Sequence, residues 1–167
     1  MEKPIIYTIG HSNHPEVEFM ALLKRHAIEV VADVRSRPYS RFCPHFNREA
    51  LTKMLQEAGI RYLFLGRELG GRPPDRVRPL ADELLYEYLR SRPQFREALA
   101  RLLEEARRFR VCLLCAEADP ARCHRGQLLA PELADLGAQV RHIRGDGTLL
   151  EHRRLEIPGK PSQKRLF

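Results

Sequence analysis

Short apolar runs alternate with longer stretches of helical periodicity along the chain. Five of these runs have the length of strands, and the most apolar one, VCLLC, is typical of a central strand. We therefore predict strands at 4–9, 29–34, 61–65, 111–115 and 139–143.

The segments between these runs predict helices. Asn47 is a typical N-cap residue, and Asp119 followed by Pro120 is typical of a helix start, with the carboxylate as the cap and the proline in the first turn. By contrast, residues 66–79 combine two adjacent Gly with three Pro and four Arg, so we expect a long irregular loop there. The predicted helices are 15–26, 47–58, 80–89, 93–109 and 119–136.

Strands that alternate with helices in this way are typical of an α/β fold. We predict a Rossmann-like three-layer α/β/α sandwich with a mainly parallel sheet of about five strands and right-handed crossovers. A tight turn at 145–147 leads into residues 148–152, which predicts a small C-terminal hairpin. Residues 1–156 then form a single domain, and residues 157–167, rich in Pro, Gly, Lys and Ser, form a flexible basic tail.

The composition is that of a globular protein, with 43% hydrophobic and 31% charged residues in a chain of 167. The net charge of +7 is carried by 24 Arg against 5 Lys, and the planar fork of Arg suits phosphate and carboxylate groups. We therefore expect an anionic partner, either a small molecule or nucleic acid. The alternative is that most of the Arg residues lie on solvated helix faces.

Two features of the sequence concern the compartment. No run approaches the roughly 18 apolar residues that a membrane-spanning helix needs, so we expect no membrane partner. The four cysteines lack the density of a secreted disulfide scaffold. We therefore expect a cytoplasmic protein with reduced thiols.

Polar residues cluster directly after three of the predicted strands. The carboxyl ends of parallel strands meet at one edge of a sheet, where ligands of α/β proteins usually bind, so a functional site is predicted there. The clusters are His11 and Ser12 after the first strand, Asp33, Arg35 and Arg37 after the second, and Cys115, Glu117, Cys123, His124 and Arg125 after the fourth.

Five segments of the chain resemble the signature blocks of a bacterial and archaeal family known as domain of unknown function 488. The resemblance covers nearly the whole chain, in five blocks that occur in order and at compatible spacing. This family has no agreed activity, so the resemblance implies which positions matter without implying a reaction. The blocks are TIGHS at 8–12, DVRSRPYS at 33–40, YLFLGRELGG at 62–71, LLCAEADPARCHR at 113–125 and VRHIRGDG at 140–147.

Cys123 is the best candidate for a nucleophile. It falls in the first turn of the predicted helix, where unpaired backbone N–H groups and the helix dipole lower the pKa of a thiol. The neighbouring His124 and Arg125 could stabilise a thiolate further. However, the spacing from Cys115 to Arg122 is one residue longer than the C-x5-R loop of cysteine phosphatases.

Metal binding is the alternative use of these residues. Cys115, Cys123 and His124, with His11 from another loop, offer thiolate and imidazole ligands. The spacing matches no recognised zinc pattern, so the cofactor is left open, with a divalent metal as one option.

Several residues at this edge are suited to bind a phosphate or carboxylate. Arg35, Arg37 and Arg125 supply charge-assisted donors, and the Ser12 hydroxyl adds a neutral one. The sequence therefore predicts an anion site beside Cys123.

The same edge offers groups for proton transfer. Glu117, Asp33 and His11 could act as acid or base. For Asp33, the alternative is a structural carboxylate that holds Arg35.

Gly70 and Gly71 lie between Arg67 and Arg72 in the predicted loop. A flexible backbone with positive charge on both sides is what a lid over an anionic ligand requires. We therefore predict a contribution of these glycines to substrate binding.

The last residues of the chain contain a short candidate docking motif. Gln163 followed by Leu166 and Phe167 is similar to the peptides with which bacterial replication and repair proteins bind the sliding clamp. The alternative is that Leu166 and Phe167 pack on the protein's own surface or on a dimer partner.

The leading hypothesis is an enzyme that acts on a phosphate-bearing substrate, a nucleotide or nucleic acid, as a cysteine-dependent or metal-assisted hydrolase or transferase. The first alternative is a non-catalytic nucleic-acid-binding or DNA-repair accessory module, and the second is a Cys/His metal-binding protein. We find no interleaved basic and aromatic stripe of the kind that binds single strands.

Overall fold

The computed structural model describes residues 2–72 and 81–157. Within these residues, six strands form one sheet, in the order β3-β2-β4-β1-β5-β6. The strands are β1 (Ile5–Gly10), β2 (Val30–Asp33), β3 (Arg61–Phe64), β4 (Val111–Cys115), β5 (Gln139–Ile143) and β6 (Leu149–Glu151).

Strands β1 to β5 pair in parallel, and β6 pairs antiparallel with β5 as the second strand of a hairpin. This arrangement confirms the α/β class and the mainly parallel sheet. It also confirms the C-terminal hairpin, whose second strand extends the same sheet. β4, predicted as a central strand, is buried at every position between β2 and β1.

Six α-helices occur in the described residues. They are α1 (Glu16–Arg25), α2 (Arg48–Glu57), α3 (Gly66–Leu69), α4 (Asp82–Ser91), α5 (Pro93–Arg108) and α6 (Ala130–Asp135). Of the predicted helices, the four that correspond to α1, α2, α4 and α5 lie within two residues of the observed bounds. Short 3-10 turns follow β2, β4 and β6.

The buried side chains form two separate hydrophobic clusters. Ile6 of β1 belongs to one cluster and its neighbour Tyr7 belongs to the other, as the alternation of side chains along a strand requires. Buried residues of α1 and α2 join the cluster of Tyr7, whereas those of α5 and α6 join the cluster of Ile6. The sheet therefore buries both of its faces.

The prediction of an irregular loop at 66–79 is wrong for its first four residues. Gly66–Leu69 is a single helical turn, and Leu69 is fully buried in the core. A Cβ at Gly66 would lie 2.0 Å from the carbonyl oxygen of Arg35. Gly66 is therefore explained by a close approach of two backbone segments rather than by an irregular chain. Residues 73–79 lie outside the described residues.

The prediction of one continuous helix at 119–136 is also wrong. Asp119 does cap a helical start, because its carboxylate accepts the N–H of Ala121, but this start is a 3-10 turn that ends at Arg122. Cys123 is extended, with φ −136° and ψ 164°, and a π-helical turn at Arg125–Leu129 then leads into α6.

Asn47 occupies the N-cap position of α2 without capping it. Its side-chain oxygen accepts the N–H of Ser40 instead, at 2.7 Å. The tail at 157–167 lies outside the described residues apart from Ile157, and so do the docking residues Gln163, Leu166 and Phe167. In the described part of the chain, no helix is both long and apolar enough to cross a membrane.

Candidate active site

The structure brings the ends of β1, β2 and β4 together at one edge of the sheet. Gly10 pairs in register with Cys115, and Asp33 pairs with Leu114. The contact continues beyond the strands, because the N–H of His11 donates to the carbonyl oxygen of Cys115 at 2.9 Å. The polar residues after the three strands therefore lie close together.

A broad cleft of about 1430 Å³ opens at this edge. Six arginines line it, and among the described lining residues Glu117 is the only carboxylate. The cleft is therefore strongly positive, as an anionic ligand requires. Its lining arginines are Arg35, Arg37, Arg48, Arg67, Arg72 and Arg122.

Two thiols meet in the wall of this cleft. The Sγ atoms of Cys115 and Cys123 lie 3.2 Å apart and share a hydrogen bond. Cys115 is buried, whereas Cys123 is half-buried, and both residues line the cleft. The pair therefore offers one accessible sulfur supported by a second sulfur behind it.

The pKa of the Cys123 thiol is lowered to about 7. The largest cause is the hydrogen bond from the Cys115 thiol, and the positive charge of Arg125 and the backbone N–H groups of Arg125 and Gly126 act in the same direction. Burial raises the pKa of Cys115, so this thiol keeps its proton and can donate a hydrogen bond to the sulfur of Cys123. At neutral pH a large fraction of Cys123 is thiolate, the nucleophilic form.

Cys123 lies outside the helix in which it was predicted, but it still lies at the amino end of a helical segment. It precedes the π-helical turn rather than lying inside a helix, and its carbonyl oxygen accepts the N–H groups of Gly126 and Gln127. Its sulfur is thereby held at the amino end of a helical segment. A π-helical turn is an uncommon feature that is often found at functional sites.

Arg125 is fully buried and supports this pair from behind the cleft. Its Nε donates to Sγ of Cys115 at 3.0 Å, and one Nη donates to the carbonyl oxygens of Glu117 and Ala118, each at 3.0 Å. The other Nη approaches the Thr8 hydroxyl at 3.4 Å. Arg125 does not line the cleft, so the prediction that it binds the anion directly is not supported by its position.

Asp33 and Arg35 form a buried ion pair. The Nε and one Nη of Arg35 donate to the two oxygens of Asp33 at 2.9 and 2.8 Å, and the Tyr62 hydroxyl donates to the same carboxylate at 2.7 Å. Asp33 is fully buried, its carboxylate is engaged by Arg35 and Tyr62, and it does not line the cleft. Arg35 lines the cleft, held in one orientation by this pair.

The two predicted histidines have structural contacts. Burial lowers the pKa of His124 to about 4, and its Nε2 lies 3.1 Å from the carbonyl oxygen of Val34. His11 is buried against the ring of Phe46 with its pKa also lowered to about 4 by burial, and it does not line the cleft. Neither residue carries the charge that would assist a thiolate at neutral pH.

Ser12, Gly70 and Gly71 differ in their position relative to the cleft. Ser12 does not line the cleft, and its carbonyl oxygen accepts the Cys43 thiol. A Cβ at Gly70 would lie 2.2 Å from the hydroxyl oxygen of Ser36, whereas a Cβ at Gly71 would meet the ring of His124 at 3.3 Å. Of these residues, Gly71 lines the cleft, at the start of the segment that runs outside the described residues.

The structure does not assemble a metal site from the predicted candidates. Cys115 and Cys123 lie together, but the His124 ring nitrogen is engaged with Val34. No group of three or more His, Cys, Asp or Glu residues suited to hold a metal ion occurs within 2–72 and 81–157.

Several residues that line the cleft were not predicted from the sequence. Arg48 is the clearest case, because it comes from the first turn of α2 and places its guanidinium over the Phe64 ring at 4.3 Å. Arg122 comes from the 3-10 turn before Cys123. An arginine on a helix is ordinarily read as solvated, and only the packing of the helices around the sheet edge shows which ones face the cleft.

The family model for the domain of unknown function DUF488 matches residues 17–130 of the chain. The chain belongs to this family. The match spans β2 to β4, the pair Asp33 and Arg35, and the two thiols, and it therefore covers most of the cleft. The searches of curated proteins and of solved structures found no match.

Proposed function

We propose that this DUF488 protein is a cysteine-dependent hydrolase or transferase that acts on a phosphate-bearing substrate, a nucleotide or nucleic acid. One observation carries the proposal: the Cys123 thiol, with its pKa lowered to about 7, lies in the wall of a cleft lined by six arginines. A nucleophile and a binding site for negative charge thus occupy the same surface.

The arginines account for substrate binding in this proposal. Guanidinium groups bind phosphate oxygens with charge-assisted hydrogen bonds, frequently in pairs. Arg35 is the best prepared of the six, because its pairing with Asp33 fixes the side chain before any ligand arrives. Arg37, Arg67 and Arg72 are exposed and can adjust to the ligand.

The proposed chemistry begins with attack of the Cys123 thiolate on phosphorus. The sulfur–phosphorus bond forms as the bond from phosphorus to the leaving oxygen breaks, and the leaving oxygen takes a proton from Glu117 or water. Water, or another acceptor hydroxyl, then attacks phosphorus while its proton passes to the Glu117 carboxylate or to water. The sulfur–phosphorus bond breaks, and its electron pair restores the thiolate. Glu117 is suited to proton exchange because it lines the cleft beside the two thiols.

We also infer that the architecture is a Rossmann-like three-layer sandwich. Helices α1 and α2 supply one hydrophobic cluster and α5 and α6 supply the other, which supports a layer of helices on each face of the sheet. The chain leaves β1 toward β2 and leaves β4 toward β5, in opposite directions along the sheet. Such a reversal is where α/β proteins commonly bind ligands, and Cys115 ends β4 there.

The test is a screen of nucleoside monophosphates, nucleoside diphosphates and 5′-phosphorylated oligonucleotides for turnover and for a covalent adduct. We expect the wild-type protein to release phosphate or to transfer it to an acceptor. Intact-mass analysis of quenched reactions should show one added phosphoryl group, and peptide mapping should locate it on the Cys123 peptide. Cys123→Ser should lower the rate on the order of 10³-fold or more.

Cys43→Ser is the matched control, because Cys43 is a free thiol near the site that does not line the cleft. It should retain the wild-type rate. Turnover that survives Cys123→Ser, or an adduct on a different residue, would contradict the proposed role of Cys123.

The non-catalytic nucleic-acid-binding module is retained as a second proposal, because the positive cleft supports binding whether or not catalysis occurs. The cytoplasmic location and the contact of Gln163, Leu166 and Phe167 with a sliding clamp are proposals of the same kind, supported by the sequence. A pull-down with purified clamp, using the full chain and a chain that lacks the last five residues, tests the contact.

A further inference from the structure

We propose that the substrate is single-stranded nucleic acid and that its bases stack on Tyr39 and Phe42 at the edge of the cleft. The choice of a phosphate-bearing ligand rests on the proposed function, whereas the choice of a single strand rests on the segment between β2 and α2. This segment carries exposed aromatic rings between arginines, in the order Arg35, Arg37, Tyr39, Arg41, Phe42.

The two rings are exposed although the segment that carries them is well held. Phe42 is 93% exposed and Tyr39 is 55% exposed. The Ser40 hydroxyl accepts the N–H groups of Phe42 and Cys43, and the Ser40 N–H donates to the Asn47 side chain. These local hydrogen bonds fix the backbone, so a defined turn holds the Phe42 ring in solvent. We infer that a binding partner covers this ring.

The arginines around these rings indicate the chemistry of the partner. Arg37 and Arg41 are exposed on either side of Tyr39, and Arg37 and Tyr39 both line the cleft that contains Cys123. Proteins that bind single strands combine a positive groove for the backbone with aromatic side chains on which bases stack. This combination favours nucleic acid over an acidic peptide, because each nucleotide unit carries both a phosphate and a flat base.

The dimensions of the site favour a polymer over a free nucleotide. Small-molecule pockets usually enclose about 300–1,000 Å³. The cleft holds about 1430 Å³, and Phe42 lies beyond it. Tyr39 and Phe42 are three positions apart in the chain. Their Cα atoms therefore lie within about 11 Å, and neighbouring bases can reach both rings.

A single strand fits these rings better than a duplex. Stacking on a side chain requires a base with a free face, and the bases of a duplex are already stacked on each other. The Tyr39 hydroxyl donates to Glu49 at 2.9 Å, which orients the ring without covering it.

The experiment measures binding of fluorescently labelled oligo-dT and oligo-U by anisotropy, with the Cys123→Ser protein so that turnover does not consume the probe. Phe42→Ala should weaken binding roughly fivefold to a hundredfold and leave the salt dependence of the affinity unchanged. Arg37→Gln should weaken binding and also reduce the slope of log affinity against log salt concentration by about 0.7.

Two control variants and two competitor ligands test whether the effect of Phe42 comes from base stacking. Val17→Ala removes an 80% exposed apolar side chain from α1 and should bind as tightly as the parent. Phe42→Trp retains an aromatic face and should restore binding. A duplex of the same sequence and a mononucleotide should compete far more weakly than the single strand.

The inference is overturned if Phe42→Ala binds like the parent, or if duplex or mononucleotide competes as well as the single strand. Turnover of mononucleotides without binding of oligonucleotides would overturn it while leaving the proposed function in place. Binding that depends on Phe42, without turnover of any phosphate ester by the wild-type protein, would support the inference and overturn the proposed function.

Discussion

Two buried arginines lie beside the cleft, and they differ in what neutralises their charge. Arg35 pairs with the carboxylate of Asp33 at 2.8 Å. Arg125 donates to a thiol, two carbonyl oxygens and a hydroxyl, and no carboxylate pairs with it in the described part of the chain. A buried cation without an anionic partner is costly, and the Cys123 thiolate is the anion that its surroundings can supply.

This difference separates two functions of positive charge. In the first pair, the carboxylate fixes the orientation of Arg35, which we propose to bind the ligand. In the second group, the unneutralised charge of Arg125 favours ionisation of Cys123, the proposed nucleophile. Substitutions at the two positions should therefore give different signatures.

Arg125→Met should have the largest effect. The variant keeps the side-chain length, but it removes the hydrogen bonds from the guanidinium to Cys115 and to the carbonyl oxygens of Glu117 and Ala118, at a cost of about 3 kcal/mol in the free energy of unfolding. The pKa of Cys123 should rise as well, because a favourable charge is lost. Urea denaturation and the pH dependence of thiol alkylation measure the two effects. Unchanged alkylation in a folded variant would contradict this role of Arg125.

Asp33→Asn should have a smaller effect of a different kind. It leaves Arg35 unpaired but next to the open cleft, where water can solvate it, so we expect a loss of about 2 kcal/mol in the free energy of unfolding. The pKa of Cys123 should change much less than in Arg125→Met, because the groups that lower it most are the Cys115 thiol, Arg125 and the backbone N–H groups of Arg125 and Gly126. Phosphate-ester binding should weaken as Arg35 loses its orientation. A shift in Cys123 alkylation equal to that of Arg125→Met would remove the distinction between the two arginines.

Cys115→Ala should have the smallest effect on the free energy of unfolding, but it should clearly change the ionisation of Cys123. It removes the hydrogen bond that contributes most to the lowered pKa of Cys123, so this pKa should rise by about one unit. Cys112→Ala is the matched control on the same strand, because Cys112 lies in the other hydrophobic cluster. Alkylation rates over a pH series measure both. A similar rise in the Cys112 variant would show that the effect comes from the strand rather than from the hydrogen bond.

The ionisation of Cys123 also makes stability depend on pH. Its pKa in the folded protein, about 7, lies below the ordinary value of 9.0. The stabilisation is therefore fully present above pH 9 and is lost as the pH falls through 7. Thermal unfolding of the wild-type protein and of Cys123→Ser over this range should diverge toward alkaline pH.

The strands could be predicted from the sequence because they are short apolar runs, as at Val111–Cys115. The prediction failed around Cys123 because Asp119 and Pro120 specify only a local start. A Cβ at Gly126 would lie 1.9 Å from the Pro120 carbonyl oxygen, so the two segments pack directly together and the chain is extended between them. That contact is tertiary and leaves no periodic signal.

The candidate site was predicted in part for the same reason. Cys123, Glu117 and Arg35 follow strand ends and could be found from the α/β pattern. Burial of Arg125 could not be predicted, since an arginine near a helix start is ordinarily exposed. Tyr39 and Phe42 lie among arginines in the sequence between Arg35 and Phe42, but the exposure of the two rings is visible only in the structure.

The most direct test of the account is the titration of Cys123 itself. Iodoacetamide alkylation of the native wild-type protein, followed peptide by peptide by mass spectrometry from acid to alkaline pH, gives the ionisation of each thiol. Cys123 should react first, with a midpoint near pH 7. A midpoint near 9, or reactivity no greater than that of Cys43, would contradict the proposed ionisation of Cys123.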